Sequence, residues 1–175
     1  MKADELRALQ APLKQRYRED AGSALIPARS EGRLEIDGIA CHVRVWRGET
    51  SAGLHPAGGG TGELACSADM LLEALVGCAG VTLAAVATAM AIPIRGGKVI
   101  AEGTWDARGT LGIDRSAPVG LTGIGLRFEI DSDAPAEKVA KMVEMAERYC
   151  VIAQTLRSPP KVTVSHVLKG QPASA

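Results

Sequence analysis

Aromatic side chains are nearly missing from this chain: two Trp, two Tyr and one Phe in 175 residues, or 3%. That excludes the base-stacking platforms on which single-strand nucleic-acid binders depend. It also leaves Ala, Val, Leu, Ile and Met to fill the interior. An excess of either charge is missing too, with 20 Lys and Arg against 20 Asp and Glu. No global field therefore draws the chain to nucleic acid or to an anionic membrane. The opening MKADELRALQ holds no apolar run, so no signal peptide is expected there. Cysteine is sparse, at four residues. Without an export signal, four cysteines predict free thiols in a reducing, cytoplasmic setting rather than structural disulfides. Paired metal-ligand spacing is lacking: Cys41-His42 stands without a CxxC or HxH partner, so no metal is expected. The glycine runs lack the Gly-Lys-Ser/Thr ending of a phosphate loop, and no cofactor is implied.

What the chain does have is one long apolar run. Met70 to Ala91 contains a single charge, Glu73, and a single cysteine, Cys78. Its length and alanine content predict a helix, with Ser67-Ala68-Asp69 supplying a cap and a first-turn acid. Ile92-Pro93 should end it, because proline restricts the residue before it and brings no N–H. Half of its positions are Ala, Gly or Thr, and no Trp, Tyr, Lys or Arg flanks it as an anchor, which argues against a membrane span. A helix apolar all round must be covered all round. At about 1.5 Å per residue it is roughly 33 Å long, against a radius of gyration of about 16 Å for a domain of this size. One sheet covers one face; a second subunit is expected on the other, giving a homodimer.

The rest of the chain supplies the covering elements. Residues 1–32 carry Leu6, Leu9, Leu13 and Tyr17 at helical spacing, interrupted by Pro12, and predict a helical arm of one kinked or two short helices. From 33 to 168 a single domain is expected, followed by a frayed tail over 169–175. Leu34 and Ile36 alternate with Arg33 and Glu35, Asp37-Gly38 signals a hairpin, and Val43 and Val45 continue the alternation. Gly48 to Gly62 reads as loop. Strands are expected over 98–108 and through Ile124, Leu126, Phe128 and Ile130. Asp133-Ala134-Pro135 opens a second helix whose apolar face is Val139, Met142, Val143, Ala146 and Tyr149 or Cys150. After Pro159-Pro160, Val162, Val164 and His166 alternate as a last strand. This order is α+β, an antiparallel sheet wrapping a long central helix.

Two cysteines fall in the two buried helical segments. A cysteine there is by itself a small hydrophobe, but Gly77, Ala79 and Gly80 leave room beside Cys78 for a small substrate. The run Ser67-Ala68-Asp69-Met70-Leu71-Leu72-Glu73-Ala74-Leu75-Val76-Gly77-Cys78 resembles the helix signature of the OsmC/Ohr family, named for osmotically inducible protein C and organic hydroperoxide resistance protein. Ala146 to Leu156, centred on Cys150, resembles the frame of that family's second cysteine. The likeness covers roughly residues 33–168.

The resemblance implies an intertwined homodimer and a thiol peroxidase acting on organic hydroperoxides. Cys78 would be the attacking thiolate and Cys150 the resolving thiol, with an external dithiol as reductant and no cofactor. An attacking thiol needs a cation or a helix terminus to lower its pKa. In this family an arginine from the N-terminal strands does so, often across the dimer. Arg29, Arg33, Arg44 and Arg47 are the candidates, with Arg47 favoured and Arg44 next. Arg44, His55, Leu75 and Tyr149 are expected around the substrate. The family's Pro-Glu at the helix start is replaced by Ser67-Ala68, leaving Asp69 or Glu73 as the acid; Glu73 points some 140° from Cys78 on an ideal helix. The family's proline after the second cysteine is Val151. Cys66, before the helix, is either a cap or a third redox thiol. Two further readings stay open: a binder of small apolar ligands or stress-related partner without turnover, and a structural dimer with inert thiols.

Overall fold

The computed structural model describes residues 1–168. A 910 Å³ groove runs along one side of its long helix, a side that the described residues leave largely open. The helix, α2 (Ser67–Ala89), follows α1 (Ala3–Glu19), β1 (Gly32–Glu35), β2 (Ala40–Val45), β3 (Gly48–Gly53) and β4 (Ala65–Cys66). After it come β5 (Gly96–Trp105), the short α3 (Ala107–Thr110), β6 (Leu121–Asp131), α4 (Ala136–Tyr149) and α5 (Val151–Arg157). The class is α+β, as the sequence predicts.

The described residues form two sheets rather than one. β5 and β6 form a long antiparallel ribbon from Gly96↔Asp131 to Trp105↔Leu121. β1 to β4 form a separate sheet, antiparallel except for β3 and β4, which run parallel. Part of the segment read as loop is therefore strand: Gly48–Gly53 pairs with β2 although its residues are small and unpatterned. The β1–β2 connection is four residues, not two. Ile39 donates to Ile36 O at 3.2 Å and takes a left-handed φ of 47°, so Ile36 lies outside the strand. The third expected strand stops at Trp105, because Asp106 accepts from Arg108 N and caps α3, which places Arg108 in that turn.

α1 is one continuous helix that tolerates Pro12. α2 begins earlier than Met70, and its N-cap is Cys66, with no side-chain cap bond; Ser67 is already helical. Its end is a Schellman turn: Ala91 sits at φ 52°, Ala91 N reaches Thr88 O, and Ile92 N reaches Ala87 O at 2.9 Å. Alanine holds a position usually given to glycine, and burial of Ile92 secures it.

The core has two adjoining parts. Leu83, Val86, Ala87 and Ile92 meet Met142 and Ala146 of α4. Nearer the start of α2, Leu75 and Ala79 meet Cys150 and Ala153, with Val99, Ala101, Ile124, Leu126 and Phe128 of the ribbon behind them. The opposite side of α2 is open, and Val81 is 73% exposed. α2 is long and apolar enough to cross a membrane by length and composition, but here it is the core helix of the fold. The expected last strand does not form: among the described residues, 161–168 pair with no strand, and Val164 is 93% exposed. The tail 169–175 lies outside the described residues.

Candidate active site

Met142, Ala146 and Cys150 recur every four residues, one stripe of a helix, and all three are fully buried. The helix stops on the last of them. Cys150 turns extended, with φ −75° and ψ 108°, and the chain restarts at once as α5. Cys150 is thus both the C-cap of α4 and the N-cap of α5. Its Sγ accepts from Ala153 N at 3.5 Å. Tyr149, the alternative for that inward position, points outward with Arg148 over its ring.

Cys78 comes from the middle of α2. It packs half-buried against the cluster that contains Leu75, Cys150 and Ala153. Two thiols far apart in sequence therefore face each other across the joint between α4 and α5. Both are free, as are Cys41 and Cys66.

Their ionisation is split in opposite directions. Burial pushes the Cys78 thiol up, but more groups pull it down. The backbone N–H of Ile152, the Cys150 thiol, the N–H of Val151 and the Thr82 hydroxyl all act on its sulfur, and the net shift is downward. For Cys150, burial raises the pKa; the Ala153 amide offsets part of this, and the neighbouring Cys78 raises it further. Of the pair, Cys78 is shifted towards the thiolate and Cys150 towards the thiol. No cation is among the groups that shift Cys78 among the described residues.

The expected arginines lie elsewhere in the subunit. Arg47 sits exposed in the β2–β3 turn, and Arg44 approaches Glu31 at 3.6 Å. Arg29 also pairs with Glu31, and Arg33 lies 3.9 Å from Glu49. Asp69 and Glu73 are exposed on α2. His55 serves its own loop: Nδ1 accepts from Ala57 N, and the ring meets Trp105 edge-on at 5.4 Å. Of the expected substrate residues, Leu75 alone is in the thiol cluster. The room at Gly77 and Gly80 belongs to the open groove on another face of α2, which Cys78 does not line. A smaller cavity of 530 Å³ does reach the cluster, through Leu75 and Ala153, with the Glu147–Arg157 ion pair on its lining. Among the described residues, no group of three His, Cys, Asp or Glu side chains is placed to hold a metal.

Sequence reasoning missed Thr82 and the amides of Val151 and Ile152. Thr82 was discoverable, since it lies one turn beyond Cys78 on the same face. The amides were not, because no residue pattern marks a helix restart inside an apolar stripe.

The model of OsmC-like proteins matches residues 60–165, most of the chain and both cysteine frames. The chain belongs to the OsmC-like family. Solved OsmC-like structures share the fold at low identity. An OsmC-like protein from Mycoplasma pneumoniae is 18% identical, with TM-score 0.65 over 77% of this chain and 89% of that one. An organic hydroperoxide resistance protein OsmC from Legionella pneumophila is 16% identical, with TM-score 0.60 over 77% and 91%. An organic hydroperoxide resistance protein from Elizabethkingia anophelis is 18% identical, with TM-score 0.54 over 77% and 91%. No curated protein sequence shows significant similarity to the chain.

Proposed function

We propose that this OsmC-like protein is a thiol peroxidase that reduces organic hydroperoxides in a reducing, cytoplasmic setting, as a homodimer. One observation carries the reading: Cys78 and Cys150 share one buried cluster, with Cys78 biased towards thiolate and Cys150 towards thiol. The Legionella and Elizabethkingia neighbours, named for organic hydroperoxide resistance, agree with it.

The reaction follows from those two ionisation states. The Cys78 thiolate attacks the terminal peroxide oxygen, the O–O bond breaks, and the alkoxide leaves and takes a proton from water. Cys78 is now a sulfenic acid. The Cys150 thiol condenses with it, forming an S–S bond and releasing water. An external dithiol then reduces the disulfide and becomes oxidised itself. Leu75 offers an apolar wall to the organic group. A second subunit would have to bring Arg47 and Asp69 or Glu73 to the thiols for their expected catalytic roles, and Arg44, His55 and Tyr149 for their expected contacts with substrate.

Replacing Cys78 by Ser abolishes turnover of tert-butyl hydroperoxide with excess dithiothreitol, while the fold persists. In Cys150→Ser, dimedone traps a sulfenic acid at Cys78. Full turnover by Cys78→Ser removes the reading. A second reading, a binder of a small apolar ligand, is favoured by the 530 Å³ cavity beside the cluster. It predicts at most one peroxide consumed per subunit under the same conditions.

A further inference from the structure

Two stripes run along α1, and the subunit itself uses one of them. Ala3, Leu6, Gln10 and Tyr17 recur at spacings that keep them on one side of the helix, and all four are half-buried. They are the inward side of a helix that lies against α2. The adjoining stripe is Lys2, Glu5, Leu9, Leu13, Arg16 and Asp20, again three or four residues apart, and every one of them is exposed. A solvated stripe can carry charges in any order. Here the order is specific. Taken from the ends inwards, Lys2 matches Asp20, Glu5 matches Arg16 and Leu9 matches Leu13, each pair centred within a residue of Ala11.

A stripe of that kind is complementary to a second copy of itself laid antiparallel. Lys2 then meets Asp20 of the copy, Glu5 meets Arg16 and Leu9 meets Leu13, and each contact occurs twice about a two-fold axis. A parallel copy would set like charges against each other, so the charges also fix the direction. The bonds inside the subunit leave these groups available. Glu5 Oε2 accepts from Lys2 N at 2.8 Å and Asp20 Oδ1 accepts from Gly22 N at 2.9 Å, so each carboxylate has a second oxygen for a partner. The Arg16 guanidinium lies over the Tyr17 ring at 5.1 Å, which leaves its N–H edge open to an acceptor. The start of α1 also sits at the open face of α2, since Met1, Lys2 and Ala3 line the groove there.

We propose that α1 is a self-recognition element, its exposed stripe pairing antiparallel with the same stripe of a second copy beside the α2 groove. The inference rests on the homodimer of the proposed function and goes beyond it, because α1 lies outside the residues 60–165 that the family model matches.

Charge reversal in mixed dimers tests it. Glu5→Arg and Arg16→Glu each set like charges against each other in their own homodimers, whereas a heterodimer of the two restores both opposite pairs. After subunit exchange, native mass spectrometry should find about three quarters heterodimer, against the statistical share of about one half for differently labelled parent chains. Each variant carries its altered helix end into homodimer and heterodimer alike, so a role confined to capping α1 leaves the ratio statistical. Leu9→Lys mixed with Leu13→Glu repeats the test at the middle of the helix and should show the same excess; it carries the test alone should Glu5→Arg fail to fold. A statistical ratio in either mixture, from a parent that is a dimer, overturns this inference and leaves the homodimer standing. A parent that is a monomer overturns both.

Discussion

At the scale of the residue, the site is two identical functional groups made different by their surroundings. A lowered pKa means that Cys78 carries a larger thiolate fraction than an ordinary thiol at any pH below the ordinary thiol range; a raised one means the reverse for Cys150. Limiting iodoacetamide near neutral pH should therefore label Cys78 before Cys150, and the preference should fade as the pH rises through the Cys150 range. Mass-spectrometric mapping across that range checks the order. The two cysteines were legible in the sequence, one in each of two apolar helical runs, but their pairing was implied only by the resemblance to the OsmC/Ohr family. The donors were not legible. A backbone amide has no signature letter, and Cys150 looked interchangeable with Tyr149 until the α4–α5 break fixed which one turns inward.

At the scale of the element, α4 is what brings the second thiol home. Met142, one of the largest fully buried side chains, lies two turns before Cys150 on the same stripe and wedges α4 against α2. Met142→Ala leaves a cavity in a close-packed contact and should cost about 2–5 kcal/mol, seen as a fall in Tm by calorimetry. Part of that loss should also loosen the thiol pair, because α5 is registered through α4. Length and composition revealed α2, and periodicity revealed α4 and the β6 alternation. Periodicity failed at Gly48–Gly53, whose residues carry no apolar alternation, and at residues 161–168, whose alternation finds no neighbour among the described residues. A strand is a relation between two segments, and a sequence shows only one side of it.

At the scale of the whole molecule, the open face of α2 is an unfinished surface. Val76, Gly77, Gly80, Val81 and Ala84 line a groove of 910 Å³, and its apolar character is what a solvent-facing helix avoids. The proposed homodimer would close it, helix against helix, with small residues allowing close approach. Val81→Glu places a charge in that face and should convert a dimer to a monomer in light scattering coupled to size exclusion, while the far-ultraviolet circular dichroism of the fold is retained. A parent that elutes as a monomer would mean that the groove is closed by something else.

The cap that the Cys150 sulfur provides to α5, accepting from Ala153 N, also changes if the proposed chemistry proceeds. Once that sulfur is bonded to another, it is a poor acceptor for the amide. The first turn of α5 should then fray, so the oxidised protein announces itself by a softened segment. An external reductant would meet its target at the place that has just loosened.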